Sequence, residues 1–363
     1  MAGKVRMGRV ERSGRGCGDG GCQVGGGYRP VRDDDGDRGM TAECGSRVAA
    51  IDCGTNSIRL LVADVARDAD GRARLVDVHR EMRVVRLGQG VDATGRLSED
   101  ALDRTWRALA DYAAVIATSG AVRTRMVATS ATRDAQNRAD FVEMVRSTLG
   151  QEPEVITGQE EAELSFAGAV GDLDPATGPF LVVDIGGGST ELVVGERDAA
   201  TNRLAGGISL DIGCVRITER ILRSDPPTTA ERDAARRWAR QILADGLDLL
   251  PIERVRRLVP VSGTATTVAA AALRLPTYDP ARIHLAEIHA DRVHVVADTL
   301  LGATRAHRAA LGYMHPGRVD VIGGGALILS TMVDLVARRV RQPLESVTVS
   351  EHDILDGIAL SLG

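Results

Sequence analysis

The chain has 363 residues, 44% of them hydrophobic and 26% charged, which is enough apolar content for a sizeable core and enough length for about two domains. A net charge of −5 supplies no global positive field, and 2% aromatic content leaves no stacking platform for single strands, so no nucleic-acid partner is expected. No apolar run reaches the roughly 18 residues of a membrane span and the N-terminus lacks a signal-type apolar core of roughly 7 to 15, which predicts a cytoplasmic protein with no membrane partner.

Residues 1–45 are rich in Gly, Arg and Asp without aliphatic periodicity and read as a disordered extension, with Met40 as an alternative start. Cys17, Cys22, Cys44, Cys53 and Cys214 form neither a disulfide framework nor a four-ligand zinc spacing and read as reduced thiols. From Val48 to Val65 two apolar runs flank Asp52-Cys53-Gly54-Thr55-Asn56-Ser57, a strand hairpin, and a further strand is expected around Arg83 to Arg86. Ser98, followed by Glu99 and Asp100, caps a helix whose Leu102, Trp106, Leu109 and Ile116 recur on a core-facing side up to Gly120. A strand at Met126 to Ala128, a helix from Asn137 to Gly150, a strand at Glu154 to Ile156 and a helix from Gln159 to Val170 follow.

Leu181 to Gly195 reads LVVDIGGGSTELVVG, two buried strands meeting at three glycines. With no side chains at Gly186, Gly187 and Gly188, the backbone can approach an anion and offer successive N–H groups, while Ser189 and Thr190 add hydroxyls. The glycines turn between strands and do not open a helix, so this is not a dinucleotide fingerprint. The pattern occurs once before: Ile51 to Val62 lies over Val183 to Val194, with Asp52 on Asp184, Gly54 on Gly186, Ser57 on Ser189 and Leu60 on Leu192. A single repeat over such a separation argues for two related lobes and against a solenoid.

Beyond it, a strand at Ile208 to Leu210, a helix capped by Thr229 carrying Trp238 and Ile242, and a strand at Leu258 to Val261 entering Ser262-Gly263-Thr264 are expected. Val319 to Leu329 reads as a strand with a glycine turn opening a helix, Val347 to Val349 as a strand, and Ser350 as the cap of a terminal helix. His284, His289 and His294, like His315 and His352, lack a metal-ligand spacing and read as solvated residues.

The hairpins DCGTNS and DIGGGSTE, with later strand-glycine-helix junctions, resemble the actin-like superfamily of sugar kinases and heat-shock chaperones. Within it, ATSATRDAQN (Ala128 to Asn137), ITGQEEAELSFAGA (Ile156 to Ala169) and DIGGGSTELVVGE resemble the exopolyphosphatase and guanosine pentaphosphate phosphohydrolase (Ppx/GppA) family over Val48 to Gly363. The resemblance implies an α/β protein of two actin-like, ribonuclease H-like lobes around a cleft: residues 46–157, residues 158–345, and a terminal helix over 346–363 that can pack back on the first lobe. It also implies the short form of the family, without the further helical domain many relatives carry.

By the same resemblance Glu161 is the base that activates water, Asp184 and Glu191 hold Mg²⁺, and Arg133 faces substrate phosphates. Gly54, Thr55, Asn56, Ser57, Gly186, Gly187, Gly188, Ser189 and Thr190 complete a phosphate cradle. Residue type alone leaves plainer readings beside these: Asp184 as a strand-end cap, Glu191 as an exposed hairpin residue, Asn56 and Ser57 as turn residues, Arg133 as the partner of Asp134, and Glu160, Glu161 and Glu163 as solvated charge at a helix start. Arg59, Arg86 and Arg216 read as rim contacts. The implied activity is Mg²⁺-dependent removal of terminal phosphate from inorganic polyphosphate. The alternatives are hydrolysis of guanosine pentaphosphate (pppGpp) and, from another class, an ATP-binding kinase or nucleotide sensor. Oligomeric state stays open, a homodimer included.

Overall fold

The computed structural model describes residues 46–67, 71, 73–198 and 202–363, so the expected N-terminal extension lies outside the described residues. The first sheet comprises β1 (Arg47–Cys53), β2 (Ser57–Arg67), β3 (Ala73–Val84), β4 (Arg123–Ala128) and β5 (Glu154–Val155), in the order β3-β2-β1-β4-β5. The second comprises β6 (Phe180–Ile185), β7 (Thr190–Arg197), β8 (Asn202–Leu210) and β9 (Arg257–Val261), in the order β8-β7-β6-β9. Each begins with an antiparallel three-strand meander and then accepts a parallel strand beside its first. The sequence repeat is thus a repeat of architecture, the actin-like arrangement. A separate ribbon pairs β10 (Ala286–His289) with β11 (Ser346–Val349).

One face of the first sheet packs on the helices Glu99–Ser119 and Arg138–Leu149 through Leu60, Val62, Leu109, Tyr112 and Phe141. One face of the second is covered by Thr229–Leu247, Ser262–Ala272 and Ile322–Ala337, with Ala290–Gly302 packed on the last two, and the alanine- and leucine-rich sides of these helices form the largest core. Two further helices, Gly158–Ala169 and Ile354–Leu360, serve the remaining faces. Leu164, Ile354 and Ile358 pack under Val48, Ala50 and Leu61, while Ala162 and Phe166 pack under Val182 and Val193. These helices cross where Gly168 and Gly357 have no side chain; a Cβ on either would strike backbone of the other.

Several elements differ from the sequence reading. β3 is far longer than the expected strand near Arg83: it is a half-exposed meander strand of 12 residues, five of them charged. Leu109 is buried as expected, but Trp106 is 47% exposed; the helix buries Ala101, Thr105, Ala108 and Tyr112 beside Leu109, and the Tyr112 hydroxyl donates to Ile58 O at 3.1 Å. The Thr229 helix is capped one residue earlier, by Thr228 in a reciprocal box with Glu231. Asp353, not Ser350, caps the last helix, in a second such box with Asp356. Val319 to Leu329 contains no strand: Gly323, Gly324 and Gly325 lie in the first turn of a buried helix, where Gly324 lets it approach Ile217. A short apolar run carries no periodicity that separates strand from buried helix.

Candidate active site

The β1–β2 and β6–β7 turns share one geometry: Gly54 N–H donates to Ser57 O and Gly186 N–H to Ser189 O, both at 3.0 Å. Loop 85–88 braces the first turn, with Val85 and Arg86 amides on Asn56 O and the Gly88 amide on Thr55 O. The second is braced by the start of the helix Cys214–Arg220, whose Cys214, Val215 and Arg216 amides occupy the Gly186 and Gly187 carbonyls. Both turns thereby spend their carbonyls inward. The amides of Thr55, Asn56, Gly187 and Gly188 donate to no acceptor among the described residues. Backbone donors at such a bend are the means of anion capture. The turns meet tip to tip, since a Cβ on Gly187 would lie 2.8 Å from Thr55 Cβ and 3.3 Å from the Asn56 nitrogen.

Between them lies a cavity of about 100 Å³ lined by Gly54, Thr55, Asn56, Ser57, Gly186, Gly187 and Ser189, together with Asp52, Glu161, Asp184 and Glu191. Register places Asp184 opposite Glu191 on β6 and β7, and Asp52 opposite Arg59 on β1 and β2. The repeat has exchanged a glutamate for an arginine at equivalent places. Five buried carboxylates, Asp52, Glu161, Asp184, Glu191 and Asp353, gather around two paired guanidiniums. Arg59 bridges Asp52 (2.6 Å) and Asp353, and Arg133 Nη1 donates to Glu161 Oε2 at 2.6 Å. Ser165 donates to Asp184 Oδ2 at 2.8 Å, Ser262 to Asp184 Oδ1, and Ser209 to Glu191 Oε1 at 2.7 Å. Ser262 reaches that position from a left-handed backbone, φ 65°.

This excess of buried negative charge has electrostatic consequences. Burial, with Asp184 and Asp52 nearby, outweighs Arg133 and pushes Glu161 up to about 7. Burial and then Asp353 push Asp184 up to about 6, and burial with Glu161 and Asp184 holds Glu191 well above the ordinary carboxylate range. Asp353 goes the other way: burial alone would raise it, but Arg59 holds it below its usual value. Hard oxygen donors with unmet charge are the donor set of a small divalent cation, so Asp184 and Glu191 fit one.

Of the residues singled out in sequence, Glu161, Asp184, Glu191, Gly54, Thr55, Asn56, Ser57, Gly186, Gly187 and Ser189 line the cavity. Three do not. Thr190 is fully buried with its hydroxyl donated to Ile212 O, since a strand residue beside Ser189 points to the opposite face. Gly188 lies against Ser130 and Thr55, and its carbonyl accepts from Arg216. Arg133 lies behind Glu161, tied to it and to Ile156 O, and is not the partner of Asp134. Glu191 is buried, not an exposed hairpin residue; Glu160 pairs with Arg125 and Glu163 with Gln159. Of the three arginines read as rim contacts, Arg59 lines the cavity from within the carboxylate network, whereas Arg86 pairs with Asp320 and Arg216 with Asp92 and Asp134.

Sequence reasoning missed Arg318, whose guanidinium lines the cavity beside Gly263 with no carboxylate within ion-pair distance among the described residues. It also missed Asp353, Ser165 and Ser262. The one available signal for Asp353 was the D-x-x-D spacing of its capping box.

Two related lobes closing glycine turns over a buried carboxylate cluster define an actin-like phosphoryl-transfer enzyme. The chain belongs to the Ppx/GppA phosphatase family, whose profile matches residues 64–362. It is similar to exopolyphosphatase 2 of Mycobacterium tuberculosis, 54% identical over 324 residues, covering 87% of this chain and 98% of that protein. Among solved structures it is similar to an exopolyphosphatase-like protein (TM-score 0.81, 42% identity, covering 87% of this chain and 98% of that one). A Ppx/GppA family member from Aquifex aeolicus also matches (TM-score 0.70, 30% identity, covering 87% and 97%). No helix among the described residues is long and apolar enough to cross a membrane.

Proposed function

We propose that the protein is an exopolyphosphatase, a phosphoanhydride hydrolase that removes terminal orthophosphate from inorganic polyphosphate with Mg²⁺. The observation that carries this reading is the set of amides without an acceptor among the described residues, Thr55 and Asn56 on one turn and Gly187 on the facing one, around a cavity that Glu161 also lines. The similarity to a protein named exopolyphosphatase 2 supports the substrate class.

In this mechanism the amides, with Ser57, Ser189 and Arg318, receive the anionic oxygens of the terminal phosphates and set them in line. Glu161 takes one proton from a water molecule as the water oxygen bonds to the terminal phosphorus. The bridging P–O bond breaks, and the shortened polymer leaves with the electron pair. Arg133 keeps the Glu161 carboxylate oriented and favours its ionised form. Asp184 and Glu191 would hold Mg²⁺, which when bound neutralises charge on the phosphoryl oxygens.

The test is orthophosphate release from polyphosphate of defined lengths, from pppGpp and from ATP, with and without Mg²⁺. Polyphosphate should give the highest kcat/KM, and chelation should abolish turnover. A higher kcat/KM for pppGpp would reassign the substrate; transfer of labelled phosphate from ATP to an acceptor would make the protein a kinase.

A further inference from the structure

Away from the cleft, three loops bring Asp172, His284 and His352 together. Asp172 follows the helix Gly158–Ala169, His284 precedes β10, and His352 precedes the last helix. His284 Nε2 lies 3.3 Å and His352 Nδ1 2.9 Å from the same oxygen, Asp172 Oδ2. One ligand atom from each residue falls within 4.8 Å of the others. Around a tetrahedral ion with ligand bonds of about 2.0–2.1 Å, neighbouring donors stand about 3.3 Å apart, so the 3.3 Å pair already has that spacing and the 2.9 Å pair has to open slightly to admit an ion. Asp172 and His352 side chains are 32% and 37% exposed and border an open cavity of about 480 Å³, which leaves room for a water as a fourth ligand.

We propose that Asp172, His284 and His352 form a binding site for a divalent transition metal of the zinc class, two imidazoles and one carboxylate with solvent completing the shell. The site is separate from the catalytic cleft, and none of its residues lines that cavity. Its place in the chain gives it a structural consequence: His352 directly precedes Asp353, which caps the last helix and bonds Arg59. A metal there would fasten the segment carrying Asp353 to the loop after the Gly158–Ala169 helix.

The same geometry names the competition. Without metal, the cluster is a hydrogen-bonded His–Asp–His set in which bonds from both imidazoles hold Asp172 well below the usual carboxylate range. Asp172 and Asp356 raise His352 against its burial, while Arg80 opposes them; Arg74 approaches Asp172 Oδ1 to 3.9 Å. Metal and proton exclude each other on the same nitrogens, so affinity tightens as pH rises through the imidazole range. The Glu351 amide lies 3.3 Å from His284 Nδ1 as a donor. Metal on Nε2 moves the ring proton to Nδ1, so loading tilts that ring and shifts the Glu351 amide resonance.

The experiment titrates the chelator-stripped protein with Zn²⁺ by calorimetry and with Co²⁺ by visible absorption, each also in Glu191→Gln to discount the cleft. One equivalent with tetrahedral-type Co²⁺ bands should persist in Glu191→Gln. In His284→Ala, His352→Ala and the near-isosteric Asp172→Asn it should weaken by at least about 100-fold, the top of the range for loss of an outer-shell partner. Thermal melts of the metal-free variants confirm that each is folded. Equal affinity across the three variants, or no equivalent beyond the cleft site, would overturn the proposal and leave a hydrogen-bonded cluster only.

Discussion

Glu161 begins life as a favourably placed anion, in the first turn of a helix capped by the Thr157 side chain. Burial and the neighbouring carboxylates override that setting and bring it to about 7, matched to proton transfer near neutrality. Because only the ionised form accepts a proton, kcat/KM should rise with pH along an acid limb at about pH 7. Mg²⁺ favours the anion and moves the limb lower. Initial rates across the acid-to-neutral range check this, and a profile with no acid limb would count against Glu161 as base. Asp353 carries a different burden, joining the helix cap to the Arg59 network. Asp353→Ala strips the cap and half of the buried pairing of Arg59, so urea denaturation should show a loss of about 3–5 kcal/mol. A loss below about 1 kcal/mol would mean Asp52 alone suffices for Arg59.

At the level of elements, the two hairpins are the organising features, and their glycines do two jobs. Gly186 makes the turn, whereas Gly187 lets one lobe's turn touch the other's Thr55. Gly187→Ala should hold the tips apart and displace the amides, lowering kcat by about 10²-fold while circular dichroism stays unchanged. Near-wild-type kcat would show that the tips do not need to meet. The hairpins were legible in sequence because Asp, Gly and hydroxyl coincide twice in the same register. β3 was less so: Val76, Val78, Met82 and Val84 alternate with polar residues, but Val76 and Val78 are exposed, so the alternation marks no buried face. The glycines at 323–325 were misread for the converse reason: a run apolar on every side fits a strand and a buried helix equally.

For the whole molecule, the repeat places one carboxylate–arginine pair and one carboxylate–carboxylate pair at equivalent registers, and the second sheet's pair gathers the unmet charge. Glu161 and Asp184 have folded values of about 7 and about 6, above their ordinary 4.5 and 3.8, so the native state holds more protons than the unfolded chain in between. Their contribution is fully present below about pH 4 and is lost as pH rises through about 7. The metal-free Tm should therefore fall over that window, less steeply in Glu161→Gln, and added Mg²⁺ should recover more at the upper end than at the lower. Parallel slopes for the two proteins would contradict the assigned burial. What pairs across the molecule was least legible in sequence: His284 with His352, Arg59 with Asp353, and Arg318 with the cleft are meetings that only the folded topology makes.

The central claim is that Glu161, held between the two turns, activates the attacking water. Its most direct test is the steady-state turnover of polyphosphate by Glu161→Ala under saturating Mg²⁺, with circular dichroism to confirm the fold. The account predicts a kcat reduced by about 10²-fold or more, with polyphosphate still bound; a variant keeping more than about a tenth of wild-type kcat would contradict it.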